Sequence, residues 1–138
     1  MKYLVTGGFG FIGSHITEYL VNRGDSVTVL DNFSTGRSEN LDHVREQIEL
    51  VECDLSIPED WIQHFNNADW VFHLAALADI VPSIQQPEAY FRANVDGTFN
   101  VLQAARASEV KRFIYIASSS CSLIGMFFGF PYTLDELA

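Results

Sequence analysis

Residues 6–20 read TGGFGFIGSHITEYL, with four glycines in the seven positions from Gly7 to Gly13. A glycine inside a helix costs about 1 kcal/mol relative to alanine and loses the most backbone entropy on folding. A cluster of them beside a helical pattern therefore marks backbone that must bend or be closely approached. Ahead of the cluster, Lys2 to Thr6 is a short apolar run that reads as a strand. Behind it, Ser14 to Arg23 reads as a helix, with Ile12, Ile16, Leu20 and Tyr19 on one face of a 3.6-residue period. Gly7, Gly10 and Gly13 thus fall at a strand-to-helix turn with the spacing G-x-x-G-x-x-G. There the first glycine allows the tight turn, the second lets a diphosphate approach the backbone, and the third lets helix and strand pack closely. The unpaired N–H groups and dipole of the first helical turn favour negative charge. A dinucleotide site is the expectation; a generic glycine turn is the alternative.

Gly24 supplies the helix stop, and SVTVLD follows as a second strand ending at Asp31, 18 residues past Gly13. A carboxylate there accepts both hydroxyls of an adenine ribose and repels a 2'-phosphate, which favours NAD over NADP. Arg37 is the nearby cation that weakens this preference, and a solvated strand-end acid is the competing reading. IELVECD is a third strand. Asp54 at its end can accept from an adenine amino group while Leu55 touches the ring, or it can simply cap the next turn. DWVFHLAA is a fourth strand, and Ala75, Ala76 and Ala78 are small enough for backbone to pass close to a cofactor, although plain packing also explains them. His73, flanked by apolar residues, reads as a core histidine with one bonded nitrogen rather than as a general acid.

The remaining pattern fills in a layered fold. NFSTGRSENLDHVREQ holds one short surface helix, and PEDWIQHFN reads as a helix opened by Ser56 or Ile57 with Pro58 in its first turn. Pro87 opens a long helix whose Phe91, Val95, Leu102 and Ala105 can lie against a sheet, with Gly97 inside it calling for a packing reason. KRFIYIASSS is a fifth strand. Short β-rich runs alternating with helices predict an α/β, Rossmann-like parallel sheet with helices on both faces. Residues 1–122 read as the nucleotide-binding domain. Residues 123–138, with Leu123, Met126, Phe127, Phe128 and Phe130, form an apolar tail that would need a covering partner. The sheet is expected to be cut short after its fifth strand, the tail leading into a catalytic and substrate portion outside these residues.

At 138 residues the chain suffices for one domain with a real core. Its formal charge of -10 opposes binding to nucleic acid but leaves room for one anionic cofactor held by backbone amides. Cys53 and Cys121 make no disulfide framework, and no Cys/His cluster has metal-ligand spacing, so no metal is expected. No apolar run is long enough for a signal or a membrane span, and the default location is cytoplasmic.

On four blocks the chain resembles the extended short-chain dehydrogenase/reductases, most closely the nucleotide-sugar 4-epimerases of the UDP-glucose 4-epimerase type. They are VTGGFGFIGSHITEYLVNRGDSVTVLDNFSTGR, DLSIPED, VFHLAALADIVPSIQQPEAYFRANVDGTFNVLQAAR and VKRFIYIASSS, covering roughly residues 1–122. The resemblance implies NAD retained through turnover, a UDP-sugar or other nucleoside-diphosphate sugar as substrate, and a homodimer built through helices that include the one beginning near Pro87. It implies that Gly7, Gly10, Phe11, Ile12 and Gly13 surround the pyrophosphate, and that Asp31, Asn32, Ser34, Thr35 and Gly36 flank the adenosine ribose. Asp54 and Leu55 would meet the adenine. Leu74, Ala75, Ala76 and Ala78 would line the cofactor's middle, and Asn94 would support the site from the long helix. Ser118 matches the catalytic hydroxyl, with Ser119 and Ser120 as alternatives, while Val81, Pro82 and Ser83 would approach the sugar.

The resemblance also implies a Tyr-x-x-x-Lys pair as base. Tyr132 is followed four places on by Glu136 and Tyr115 by Ser119, so these residues contain no such pair. After the serines, CSLIG stands where the family reads V-Y-G. The chain can thus be the cofactor-binding portion of an epimerase, a non-catalytic NAD-binding module, or part of a related dehydratase, decarboxylase or reductase.

Overall fold

The computed structural model describes residues 1–116. These form a parallel sheet of β1 (Lys2–Thr6), β2 (Ser26–Asp31), β3 (Ile48–Glu52), β4 (Trp70–His73) and β5 (Arg112–Tyr115), in the order β3-β2-β1-β4-β5. The chain moves outward from β1 to β3, then crosses back to place β4 on the other side of β1. Right-handed crossovers put the connections of the two halves on opposite faces.

Alternation within the strands divides the core. Tyr3, Val5, Val27 and Val29 face one layer with Leu20, Val21, Leu41 and Val44, contributed by helix α1 (Phe11–Asn22) and a 3-10 segment at Ser38–Gln47. Leu4, Leu30 and Val71 face the other with Trp61 and Phe65, from a 3-10 helix at Asp60–Phe65, and with Val101, Ala104 and Ala105. This 3-10 helix begins two residues after Pro58, so the proline precedes its first turn instead of lying inside it as the sequence suggests. α1 stops as expected: Gly24, at φ +83, donates to Val21 O at 2.8 Å and Asp25 to Leu20 O at 3.1 Å, the paired bonds of a Schellman motif.

Two helices differ from the sequence reading in the face they bury. In α1 the buried residues are Gly13, Ser14, Thr17, Leu20 and Val21, while Ile12 and Tyr19 are exposed. The third glycine draws the helix so near the sheet that its small side chains turn inward, and Ile12 and Tyr19 instead border an open apolar groove with Tyr3, Trp70 and Phe72. The long helix is three pieces with continuous helical dihedrals at their joins: α3 (Pro87–Phe91), a π turn (Arg92–Asp96) and α4 (Gly97–Ala107). The π turn shifts the register, so Gly97, Val101, Ala104 and Ala105 meet the sheet. Phe91, Val95, Phe99 and Leu102 are left as an exposed apolar stripe. A Cβ on Gly97 would meet Leu55 Cβ at 3.7 Å, ordinary contact, so its backbone is not in tight approach. The short helix α2 (Ile80–Gln85) has no counterpart in the sequence reading.

Candidate cofactor site

The crevice opens where the connections leave β1 and β4 in opposite directions, the usual ligand position in an open parallel sheet. It is a cavity of about 350 Å3 at the carboxyl ends of the strands. β1 delivers the glycine turn. Gly7 sits at φ +68, and a Cβ there would lie 2.8 Å from both N and Cα of Ala75. Positive φ and backbone contact together exclude any side chain at this position. A Cβ on Gly13 would collide with Gly7 O and with Gly8 Cα, whereas one on Gly10 would meet only Gly7 O, at 3.2 Å, and otherwise project into the cavity. Gly7 thus fits the tight turn and Gly13 the close helix packing, while Gly10 leaves open space where a side chain would stand.

The first N–H bonded back from α1 is that of Ser14, to Gly10 O at 2.9 Å, and no side chain caps the helix. Among the described residues, the N–H groups of Phe11, Ile12 and Gly13 have no acceptor, and all three residues line the cavity. Phe9 anchors the turn. Its N–H donates to Asp31 Oδ2 at 2.9 Å, its carbonyl accepts from Arg37 N and Asn40 Nδ2, and its buried ring lies 4.7 Å from that of Phe33.

β2 delivers Asp31, Asn32, Ser34, Thr35 and Gly36, all lining the cavity. Asp31 is buried, and its second oxygen accepts from Phe33 N at 2.9 Å, so it joins the glycine turn to the loop after β2. A carboxylate has about four acceptor positions, and these bonds occupy two. Among the described residues, no lysine or arginine lines the cavity. At the end of β3, Asp54 caps the following turn, accepting from Ser56 N at 2.9 Å, and still lines the cavity beside Leu55. Burial, followed by the charges of Asp54, Asp31 and Glu59, pushes the Cys53 thiol up to about 12, leaving it an un-ionised lining group.

After β4, Leu74, Ala75 and Ala76 form the opposite wall; Ala78 is not among the lining residues. Asn94 does not reach the cavity either, but holds its wall. Its Oδ1 accepts from Leu77 N at 2.8 Å and its Nδ2 donates to Leu77 O at 2.9 Å. From α4, Asn100 Nδ2 donates to Leu55 O and Ser56 O. Val81, Pro82 and Ser83, expected to approach a sugar, stand on α2 outside the cavity, with Ser83 Oγ bonded to Ile80 O at 2.6 Å.

His73 is bonded at both nitrogens, not one: Nδ1 lies 2.7 Å from Thr6 Oγ1 and Nε2 lies 2.9 Å from Thr98 Oγ1. Burial lowers its pKa to about 4, so near neutral pH it is an uncharged structural ring. Leu30, Cys53, Ser56, Leu77, Ala93 and Ile116 also line the cavity, none of them expected there from the sequence. Only Ser56, as a polar neighbour of Asp54, carried a local signal. Ser118, Ser119 and Ser120 lie outside the described residues, as do the aromatics of the tail. No cluster among the described residues could hold a metal ion, and no helix there is long and apolar enough to cross a membrane.

A parallel sheet with this strand order, a bare glycine turn and an acid at the end of β2 define a dinucleotide-binding Rossmann unit. Residues 3–128 match the NAD dependent epimerase/dehydratase family, to which the chain belongs. It is 37% identical over 118 residues to a UDP-N-acetyl-alpha-D-glucosaminuronate decarboxylase of Bacillus cytotoxicus, covering 86% of this chain and 36% of that protein. To the UDP-glucose 4-epimerase of Bacillus subtilis it is 36% identical over 141 residues, covering 98% and 41%. Among solved structures, the UDP-N-acetylglucosamine 4-epimerase from Methanobrevibacter ruminantium, in complex with UDP-N-acetylmuramic acid, superposes with a TM-score of 0.79 at 37% identity, covering 86% of this chain and 38% of that one. The chain therefore spans well under half the length of these relatives.

Proposed function

We propose that residues 1–122 bind NAD for an enzyme that inverts C4 of a nucleoside-diphosphate sugar, a UDP-sugar by likeness to the relatives. The observation that carries the cofactor reading is the cradle. Three unpaired N–H groups of α1 and the open side of Gly10 face one cavity, with the buried Asp31 at its ribose end. Asp31, with no lysine or arginine lining the cavity among the described residues, favours NAD over NADP. When bound, NAD supplies reversible hydride acceptance at the sugar carbon. The described residues bind and orient it: α1 receives the pyrophosphate, Asp31 the ribose, Asp54 and Leu55 the adenine, and Leu74 to Ala76 close the middle. Ser118, with Ser119 or Ser120 in its place, would hydrogen-bond the sugar C4 hydroxyl.

The exposed stripe of Phe91, Val95, Phe99 and Leu102 supports a homodimer through α3 and α4; sedimentation as a monomer at micromolar concentration would remove that assignment. The free Cys53 thiol suits the reducing cytoplasm. Two other readings remain to be separated from this one: a non-catalytic NAD-binding module, and, on the similarity to a decarboxylase, different chemistry on the same cofactor site. Incubating the natural protein that contains these residues with NAD and UDP-sugars separates them by product: a 4-epimer, a decarboxylated sugar, or no turnover with NAD still bound.

The cofactor reading is tested by calorimetry with Gly10→Val. A Cβ there meets only Gly7 O, at 3.2 Å, and otherwise open space, so the turn need give by only a few tenths of an ångström and circular dichroism should show the fold retained. Loss of about two charge-assisted contacts weakens NAD at least about 100-fold. Wild-type affinity in a folded Gly10→Val variant refutes the cradle.

A further inference from the structure

The His73 ring joins β4 to both β1 and α4, yet it does not line the cofactor cavity and takes no part in the cofactor contacts proposed above. Its bonding pattern fixes where its proton lies. Thr6 Oγ1 is within 3.2 Å of Leu74 N and 3.2 Å of Ala75 N, two donors that fill the two lone pairs of a hydroxyl. Leu74 N also donates to Thr6 O at 3.1 Å, so Oγ1 is a shared acceptor for Leu74 but, among the described residues, the one acceptor for Ala75. The Thr6 proton is then free only toward His73 Nδ1, 2.7 Å away. Nδ1 is consequently the bare nitrogen, and Nε2–H donates to Thr98 Oγ1 at 2.9 Å. The opposite tautomer would aim three donors at Thr6 Oγ1 and strand its own proton. Thr6 and His73 are fully buried, where an unmatched donor costs most.

The consequence falls on Ala75. Its backbone touches the bare face of Gly7, with no room for a Cβ between them, and its N–H is held by the residue just before Gly7. We propose that Thr6 and His73 are positioning residues for the cofactor: the neutral, Nε2-protonated ring orients the Thr6 hydroxyl so that its oxygen clamps Ala75 N–H, fixing the Leu74–Ala76 wall against the phosphate turn. The effect on NAD rests on the cofactor reading given above; the clamp itself does not.

The test uses the 138-residue chain and NAD. Thr6→Val keeps shape and removes the acceptor; Thr6→Ser restores it. Thr6→Val is expected to weaken NAD by about tenfold and to raise the exchange rate of the Ala75 amide by about the same factor. Thr6→Ser should return both to within about twofold of wild type. Nitrogen-15 spectra of the wild type should show His73 in the Nε2–H tautomer. An Nδ1–H tautomer, or a folded Thr6→Val variant with unchanged Ala75 exchange, overturns the clamp; the tautomer measurement decides even where Thr6→Val fails to fold. Raised exchange with unaltered NAD affinity overturns the cofactor-positioning role. Wild-type chain that does not bind NAD refutes the cofactor reading and with it that role, while Ala75 exchange still judges the clamp.

Discussion

Lowering the pH should destabilise this domain through one histidine. Burial holds the folded His73 near a pKa of about 4, against an ordinary value of 6.5. Above pH 6.5 the ring is neutral in both folded and unfolded chains and stability is at its full value. Between 6.5 and about 4 the unfolded chain takes up a proton that the folded one refuses, so stability falls as pH falls, by up to 1.36 kcal/mol per pH unit. Below about 4 the loss levels off, at about 3 kcal/mol in total. That is a large share of the 5–15 kcal/mol typical of a domain. Asp69 does not confuse this window. Held below its ordinary value by a hydrogen bond from Lys111 and another from Lys2 N, it contributes stability that disappears only as pH drops below about 3.8. Urea denaturation of wild type and His73→Phe at pH 7.5 and 4.5 checks the argument. The variant lacks both threonine bonds and starts less stable, but it has no ring to titrate. Its deficit relative to wild type should shrink by about 2.5 kcal/mol at the lower pH. An unchanged deficit would show that the ring is not buried neutral.

Gly13→Ala should separate from the Gly10 substitution. Its Cβ would meet backbone at Gly7 and Gly8, and a loss of about 2 kcal/mol or more in denaturant stability is expected. At the end of α4, Glu109 occupies φ 51 while Glu109 N donates to Arg106 O and Val110 N to Ala105 O, the motif that Gly24 completes on α1. Glu109→Gly should therefore stabilise the domain by about 1 kcal/mol, read as a rise in melting temperature without change in NAD affinity.

The parallel α/β layering and the bare glycine turn were legible because their constraints are local. Positive φ, a bare Cα and a strand-end acid leave marks at single positions, and Gly7, Gly13 and Asp31 carry them. The buried faces of the helices were not legible. In α1 both the Ile12–Ile16–Leu20 stripe with Tyr19 and the Gly13–Thr17–Leu20 stripe fit a 3.6-residue period; Leu20 is buried on either, and the close approach at Gly13 decides between them. In the long helix an extra residue in the π turn rotates all of α4, so a uniform period projected from Pro87 puts Phe91, Val95 and Leu102 on the wrong side. Asn94 was placed as a support, but its two bonds to Leu77 depend on a loop 17 residues away, and nothing local to Ala93, Leu77 or Ile116 marks them as cavity wall.

The residues that shape the cavity are also the ones that hold the layers together. Asp31 ties two loops and lines the cavity; Leu55 belongs to the core and to the cavity wall; Gly7 touches Ala75 across the crevice. A ligand that fills this crevice would bind a surface the unfolded chain does not possess. By linkage it would stabilise the fold by about 2.7 kcal/mol at one hundred times its dissociation constant. That gain is close to the loss His73 should cause in acid, so saturating NAD would nearly restore at pH 4.5 the stability held without it at neutral pH. The compensation requires that affinity itself survive the change, and the geometry provides for this: at pH 4.5 a ring with a folded pKa of about 4 is still mostly neutral and still accepts the Thr6 proton.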